Sequence, residues 1–120
     1  LASSLIICFT SSFIIYFASP YTHKDTKVVQ ERVQKTSEMV AKLVSEGNVV
    51  ISPIVYGHNL LQFHDMPGDW EFWKNFCQTF LRKSDEMVVY MLDGWDKSTG
   101  VLSEIELAKQ LNINIRYISV

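Results

Sequence analysis

The stretch Met87-Val88-Val89-Tyr90-Met91-Leu92-Asp93-Gly94-Trp95-Asp96-Lys97-Ser98-Thr99-Gly100 decides the fold. Its first six residues are a short, continuously apolar, β-prone run, the pattern of a strand buried on both faces. Asp93 to Thr99 reads as a loop, Val101 to Leu111 as a helix and Ile113 to Ser119 as a further strand. Strand, loop, helix and strand in that order make a parallel pair joined by a right-handed crossover.

The same alternation continues upstream. Phe13 to Ala18 is another apolar, β-rich run, broken by Ser19-Pro20-Tyr21-Thr22-His23-Lys24. From about Asp25 to Glu46 the period becomes helical, with Val29, Val33, Val40, Leu43 and Val44 on one face, and Gly47-Asn48 supplies a stop. Val49 to Val55 reads as the second strand, 56–68 as a loop, and Trp70 to Lys83 as an aromatic helix that Asp69 can cap. The order βαβαβαβ predicts one α/β domain over 13–120. It is a three-layer α/β/α sandwich with a mostly parallel, doubly wound sheet of the flavodoxin or Rossmann-like kind. Ligands in such sheets bind beyond the carboxyl ends of the strands. That directs attention to the loops 19–25, 56–69 and 93–100.

Composition narrows the function classes. The 120 residues carry a formal charge of -2, with no basic face suited to a nucleic-acid polymer. Cys8 and Cys77 are too few for a disulfide framework, which favours a reducing, cytoplasmic compartment. His23, His58 and His64 are scattered, and no Cys/His set has zinc-site spacing. Leu1 to Ala18 is uncharged, and its apolar runs can be read as a signal peptide or a short membrane anchor. Ser3, Ser4, Thr10, Ser11 and Ser12 interrupt it and no basic residue precedes it, so residues 1–12 read as an N-terminal extension and membrane attachment ranks last.

Several residues can carry chemistry, each with a plainer alternative. Gly100 allows close backbone approach to a ligand, and the helix behind it offers free N–H groups to an anion. Glu104 falls in the predicted first turn, where the helix dipole favours its ionised form. It is either a carboxylate nucleophile or an ordinary first-turn glutamate. Ser98 and Thr99 can donate to a phosphate or cap the helix. Ser19, Tyr21, His23 and Lys24 can bind phosphate, although no GxGxxG or P-loop pattern is present. Trp70, Phe72, Trp73, Phe76 and Phe80 form either a base-stacking wall or core. Asp65 and Asp69 are candidate acids or turn residues. Cys77 has no local basic partner and reads as a buried, inert thiol.

Three segments together carry a resemblance: Tyr16-Phe17-Ala18-Ser19-Pro20, Ser84-Asp85-Glu86-Met87-Val88-Val89, and Ser98-Thr99-Gly100-Val101-Leu102-Ser103-Glu104-Ile105-Glu106-Leu107-Ala108. Across residues 13–119 the chain resembles the nucleoside 2-deoxyribosyltransferase superfamily, which includes the 2′-deoxynucleoside 5′-monophosphate N-glycosidases. The Gly94-Trp95 pair looks like that of its uncharacterised phage and bacterial branch. The resemblance implies a retaining double displacement at an anomeric carbon, with Glu104 as nucleophile, Tyr16 holding it, and no cofactor or metal. It places Ser19, Pro20, Tyr21, His23, Trp95, Ser98 and Gly100 around a small nucleoside or nucleotide. Serine at 98, where transferases often carry aspartate, tilts the substrate toward a 5′-monophosphate. A homodimer or larger homo-oligomer is also implied.

The chain departs from that pattern at two positions. Ser19 replaces a usual glycine, which would crowd the first loop. Cys77 stands where the superfamily often has the aspartate that protonates the leaving base, and a thiol is a poor substitute. Asp69, Asp65 or a histidine then takes over, or the leaving group needs little help, or the protein is a non-catalytic nucleotide-binding module.

Overall fold

The structure, a computed structural model, describes residues 12–120. Nearly all of the predicted N-terminal extension, and Cys8 with it, lies outside the described residues. Four strands form one all-parallel sheet: β1 (Ile14–Ala18), β2 (Val49–Ile51), β3 (Glu86–Tyr90) and β4 (Asn114–Ile118), in the spatial order β2-β1-β3-β4. Four helices connect or flank them: α1 (Thr26–Ser45), α2 (Pro53–Leu61), α3 (Trp70–Arg82) and α4 (Thr99–Gln110), with a 3₁₀ turn at Trp95–Lys97. The doubly wound α/β/α sandwich expected from the sequence is the fold observed.

The core divides at the sheet. Ile15, Phe17, Val88, Tyr90 and Leu92 point to one face, where Met39, Val40 and Leu43 of α1 cover them. Tyr16, Ala18, Met87 and Val89 point to the other, against Cys77 and Leu81 of α3 and Val101, Ile105 and Ala108 of α4. Alternation along β1 therefore sends Phe17 to one layer and Tyr16 to the other, and both are fully buried. Each such large side chain contributes about 1.5–3 kcal/mol by leaving water. At the start of the sheet the Asp85 carboxylate accepts the Ile14 N–H at 2.7 Å, and the Asp85 N–H donates to the Ile14 carbonyl at 2.8 Å.

The strand order reverses between β1 and β3: β1 leads outward to β2, and β3 leads the other way to β4. Their carboxyl ends open the crevice where ligands of such sheets bind.

Two departures from the expected element boundaries shape that crevice. The second strand ends at Ile51, and Pro53–Leu61, expected as strand end and loop, is a helix. Ser52 caps it by accepting the Val55 N–H at 3.3 Å, and Pro53 occupies the first turn, where its missing donor costs nothing. The last helix begins at Thr99, earlier than the expected Val101, because Ser98 caps it by accepting the Val101 N–H at 3.3 Å. Among the described residues no helix is long and apolar enough to cross a membrane.

Candidate active site

All three loops singled out in the sequence meet in one cleft. Tyr16, Ala18 and Ser19 of β1 and its end form the floor; Tyr21 and Thr22 one rim; Pro53, Gly57, His58 and Leu61 of α2 a wall; Gly68, Asp69, Trp70, Trp73 and Cys77 a second wall; and Ser98, Gly100, Val101 and Glu104 the remaining side.

The earlier start of α4 moves Glu104 from the first turn to the second, beyond the part of the helix where the dipole acts strongly. Its carboxylate is 6% exposed and faces the cleft floor. The Tyr16 hydroxyl donates to Oε2 of Glu104, and the Cys77 thiol lies beside the same carboxylate. Burial pushes Glu104 up from its usual 4.5 to about 7, while the Tyr16 hydrogen bond and the neighbouring Cys77 thiol pull the other way. The expected dipole-favoured carboxylate is thus corrected: desolvation governs this group. Burial and the neighbouring Glu104 charge push the Cys77 thiol up to about 12, and the same two causes raise Tyr16 well above the ordinary phenol range. Cys77 is buried and protonated, as its sequence setting suggested, yet it lies in the cleft against the candidate nucleophile.

Ser98 caps α4, and it also lines the cleft. Its oxygen accepts from Val101, which leaves its own O–H to donate. Gly100 lines the cleft and also packs against an indole. A Cβ there would lie 3.2 Å from the Trp70 ring, so the glycine admits an indole against the backbone. Gly57 does the same for Trp73, at 3.3 Å. Trp70 and Trp73 are therefore held edge or face against two helix backbones and form cleft wall, whereas Phe72 and Phe80 point away from it.

The first loop is seated without crowding. Ser19 is buried, and its Oγ accepts from the Thr36 hydroxyl of α1 at 3.1 Å. Tyr21 shares a 2.9 Å hydrogen bond between its hydroxyl and His58 Nδ1, and burial raises its hydroxyl's pKa. Asp69 is exposed at the rim, preceding α3 without a side-chain capping bond. Pro20 is buried behind the loop and outside the lining. His23 lies on the surface, its Nδ1 accepting the Asp25 N–H at 2.9 Å, and Trp95 packs on Tyr117 with ring centroids 5.8 Å apart. Neither lines the cleft, nor does Asp65.

Sequence reasoning missed two residues. His58, assigned to a loop, is on α2 and reaches the cleft. Arg32 of α1 ties two site loops together. Its Nη1 donates to the carbonyls of Tyr21 at 3.4 Å and Thr22 at 2.9 Å, and its Nη2 donates to that of Asp93 at 2.9 Å. Gly94, at φ 89°, makes room: a Cβ there would lie 2.6 Å from Nη2. The only sequence signal was Gly94 itself, since Arg32 reads as one charge on a solvated helix face. Among the described residues no group of three or more His, Cys, Asp and Glu is placed to hold a metal ion.

A parallel doubly wound domain with a buried carboxylate, phenol and thiol at its switch point defines the class of protein. The model of the family described as a domain of unknown function, DUF1937, matches residues 13–119, and the chain belongs to that family. Among solved structures, a 2-deoxyribosyltransferase from the psychrotolerant bacterium Bacillus psychrosaccharolyticus shares the fold. The TM-score is 0.60 at 24% identity, over 88% of this chain and 72% of that one. No curated protein sequence matches this chain.

Proposed function

We propose that this protein cleaves or transfers the N-glycosidic bond of a nucleoside or nucleotide, with Glu104 as the nucleophile. The observation that carries the reading is the buried Glu104 carboxylate on the cleft floor, held by the Tyr16 hydroxyl and walled by Trp70 and Trp73. A carboxylate fixed in this way can attack an anomeric carbon and form a glycosyl ester, which water or a second base then opens. Tyr16 orients the oxygen that attacks. The indole walls suit a flat base.

A 5′-monophosphate fits the Ser98 side of the cleft. There a free hydroxyl and the N-terminus of a twelve-residue helix favour an anion. Tyr21 and Ser19 complete the binding side, and Asp69 stands at the rim as a second acidic group. Incubation with a panel of deoxynucleosides and deoxynucleoside 5′-monophosphates should release free base, with the monophosphates preferred. Unchanged release by Glu104→Ala would reject the assigned nucleophile.

A second reading is supported by Cys77: a cleft without a carboxylic acid beside Glu104 can bind a nucleotide without turning it over. It expects thermal stabilisation by nucleotide with no base released, and Glu104-dependent turnover excludes it.

A further inference from the structure

Among the described residues, the cleft floor carries no carboxylic acid besides Glu104. Tyr16 donates to Glu104, and the buried Cys77 thiol lies beside the same carboxylate. At the rim the Tyr21 hydroxyl and His58 Nδ1 satisfy one another at 2.9 Å. The remaining acidic side chain, Asp69, is on the exposed rim rather than on the floor. The floor therefore combines a buried nucleophile with weak acids only: the Tyr16 phenol and Cys77 thiol are made weaker by burial, and the Ser19 hydroxyl is weaker still, so none suits the protonation of a departing base. Resting on the reading of Glu104 as nucleophile, we infer that the substrates of this cleft are N-glycosides whose base departs without being protonated, foremost those with a positively charged base such as a pyridinium or an N7-alkylated purine.

The chemistry of such a substrate balances with the residues present. The Glu104 carboxylate forms the bond to the anomeric carbon as the carbon–nitrogen bond breaks. The electron pair of the broken bond goes to the ring nitrogen and cancels its positive charge, so the base leaves neutral with no proton transferred. Water then attacks the anomeric carbon, the ester C–O pair returns to Glu104, and the proton of the water passes to solvent.

The rest of the cleft agrees with a cationic base. Trp70 and Trp73 present two indoles, the side chains best suited to hold a cation over a ring face, and Asp69 adds an acidic group at the mouth. Burial, which pushes Cys77 to about 12, makes its thiol a still weaker acid than an ordinary cysteine.

The test is the dependence of rate on the leaving base. Wild-type protein is given nicotinamide mononucleotide and its 2′-deoxy analogue, N7-methyl-dGMP, dUMP, dGMP and dAMP, and released base is quantified. The inference expects kcat/KM for the cationic bases to exceed that for dAMP by at least about 100-fold, the usual lower worth of a general acid. Cys77→Asp, which installs an acid, should raise the ratio of dAMP cleavage to pyridinium cleavage by about 10²-fold or more, whatever it does to both rates together. Cys77→Ser, closer in shape, should keep the steep dependence, and the wild-type comparison stands even where Cys77→Asp fails to fold. Adenine released from dAMP within tenfold of nicotinamide overturns this inference while leaving Glu104 as nucleophile intact. Absence of base release from every substrate overturns both.

Discussion

The two sides of α3 are made of the same kind of residue and do different things. Trp70, Trp73, Cys77 and Leu81, at helical spacing, face the cleft and the core, and the last two are buried. Phe72, Phe76 and Phe80, also at helical spacing, line an outer groove with Tyr56, Leu60 and Met66. In that groove the Phe76 and Tyr56 rings stack at 5.6 Å, and Phe76 meets Phe80 at 5.0 Å. Both surfaces are aromatic, and Trp73 belongs to both. Only the inner one ends on polar groups that folding has taken out of water. An ionisable carboxyl on the cleft floor opposes folding, and such a cost is what separates a reaction site from a merely apolar surface.

The sharpest way to break this contrast is Glu104→Gln. Loss of the proposed nucleophile should lower kcat/KM by about 10⁴-fold or more, yet the same change should stabilise the fold at alkaline pH. The native carboxyl holds its proton until about pH 7, whereas the unfolded chain releases it near 4.5. Stability from this group is therefore fully present below 4.5 and is lost as pH rises to about 7, a deficit of about 3 kcal/mol. Glutamine never ionises and keeps an oxygen to accept from Tyr16. Denaturant midpoints at pH 4 and pH 8 should show the variant gaining on the wild type between the two; a gap that does not widen with pH means that Glu104 is not desolvated.

Tyr16→Phe tests how the cost is moderated. A carboxylate attacks only in its ionised form, so with Glu104 as the proposed nucleophile kcat/KM should rise with pH to a plateau through a midpoint near 7. Removing the Tyr16 donor takes away a hydrogen bond that holds the Glu104 pKa down, and the rising limb should move to higher pH. A displacement of one pH unit lowers activity at pH 6 about tenfold. A limb that stays in place means Tyr16 packs beside Glu104 without stabilising its charge.

How much of this was legible in sequence follows from the range of each interaction. β1 and β3 were evident because Tyr16-Phe17-Ala18 and Met87-Val88-Val89-Tyr90 are apolar on both faces, as central parallel strands must be. α1 was evident from its period. α2 was not: Ser52-Pro53 is a cap followed by a first-turn proline, but Val, Tyr and Gly in the next turn mask the helix, and Gly57 earns its place only through the Trp73 ring. Local signals placed Glu104 on a helix but gave the wrong sign to its environment, because desolvation comes from β1 and α3. Cys77 lies 27 residues before Glu104, and no local pattern announces that contact.

Gly94→Ala acts more mildly, through the loops. A side chain at φ 89° is strained by about 1–2 kcal/mol, and its Cβ must displace an Arg32 nitrogen lying 2.6 Å away. The bridge from Arg32 to the Asp93 carbonyl then opens, and the two loops of the cleft lose their common tie. Thermal denaturation should record a lower Tm, and nucleotide affinity should weaken several-fold. Unchanged affinity despite the lower Tm would show that the Arg32 tie serves the fold alone.

The smallest expected effect bears on the outer groove. Phe80→Ser removes the ring of a 37% exposed residue that packs on Phe76 and does not line the cleft, so stability should fall by about 1 kcal/mol while kcat/KM stays within twofold. The null result is informative because Trp73 connects the groove to the cleft: Phe76 lies 5.2 Å from Trp73 and 5.0 Å from Phe80. If the rings were a relay, loosening Phe80 would tilt Trp73 and change the fit of the base. The structure gives Trp73 independent anchors, with Gly57 against its ring and its Nε1–H donating to the Pro67 carbonyl at 2.9 Å. Those anchors hold the indole from the α2 side and from the loop before α3, neither of which involves Phe80. A change in KM for Phe80→Ser would therefore mean that the stacked rings, rather than these anchors, set the cleft wall.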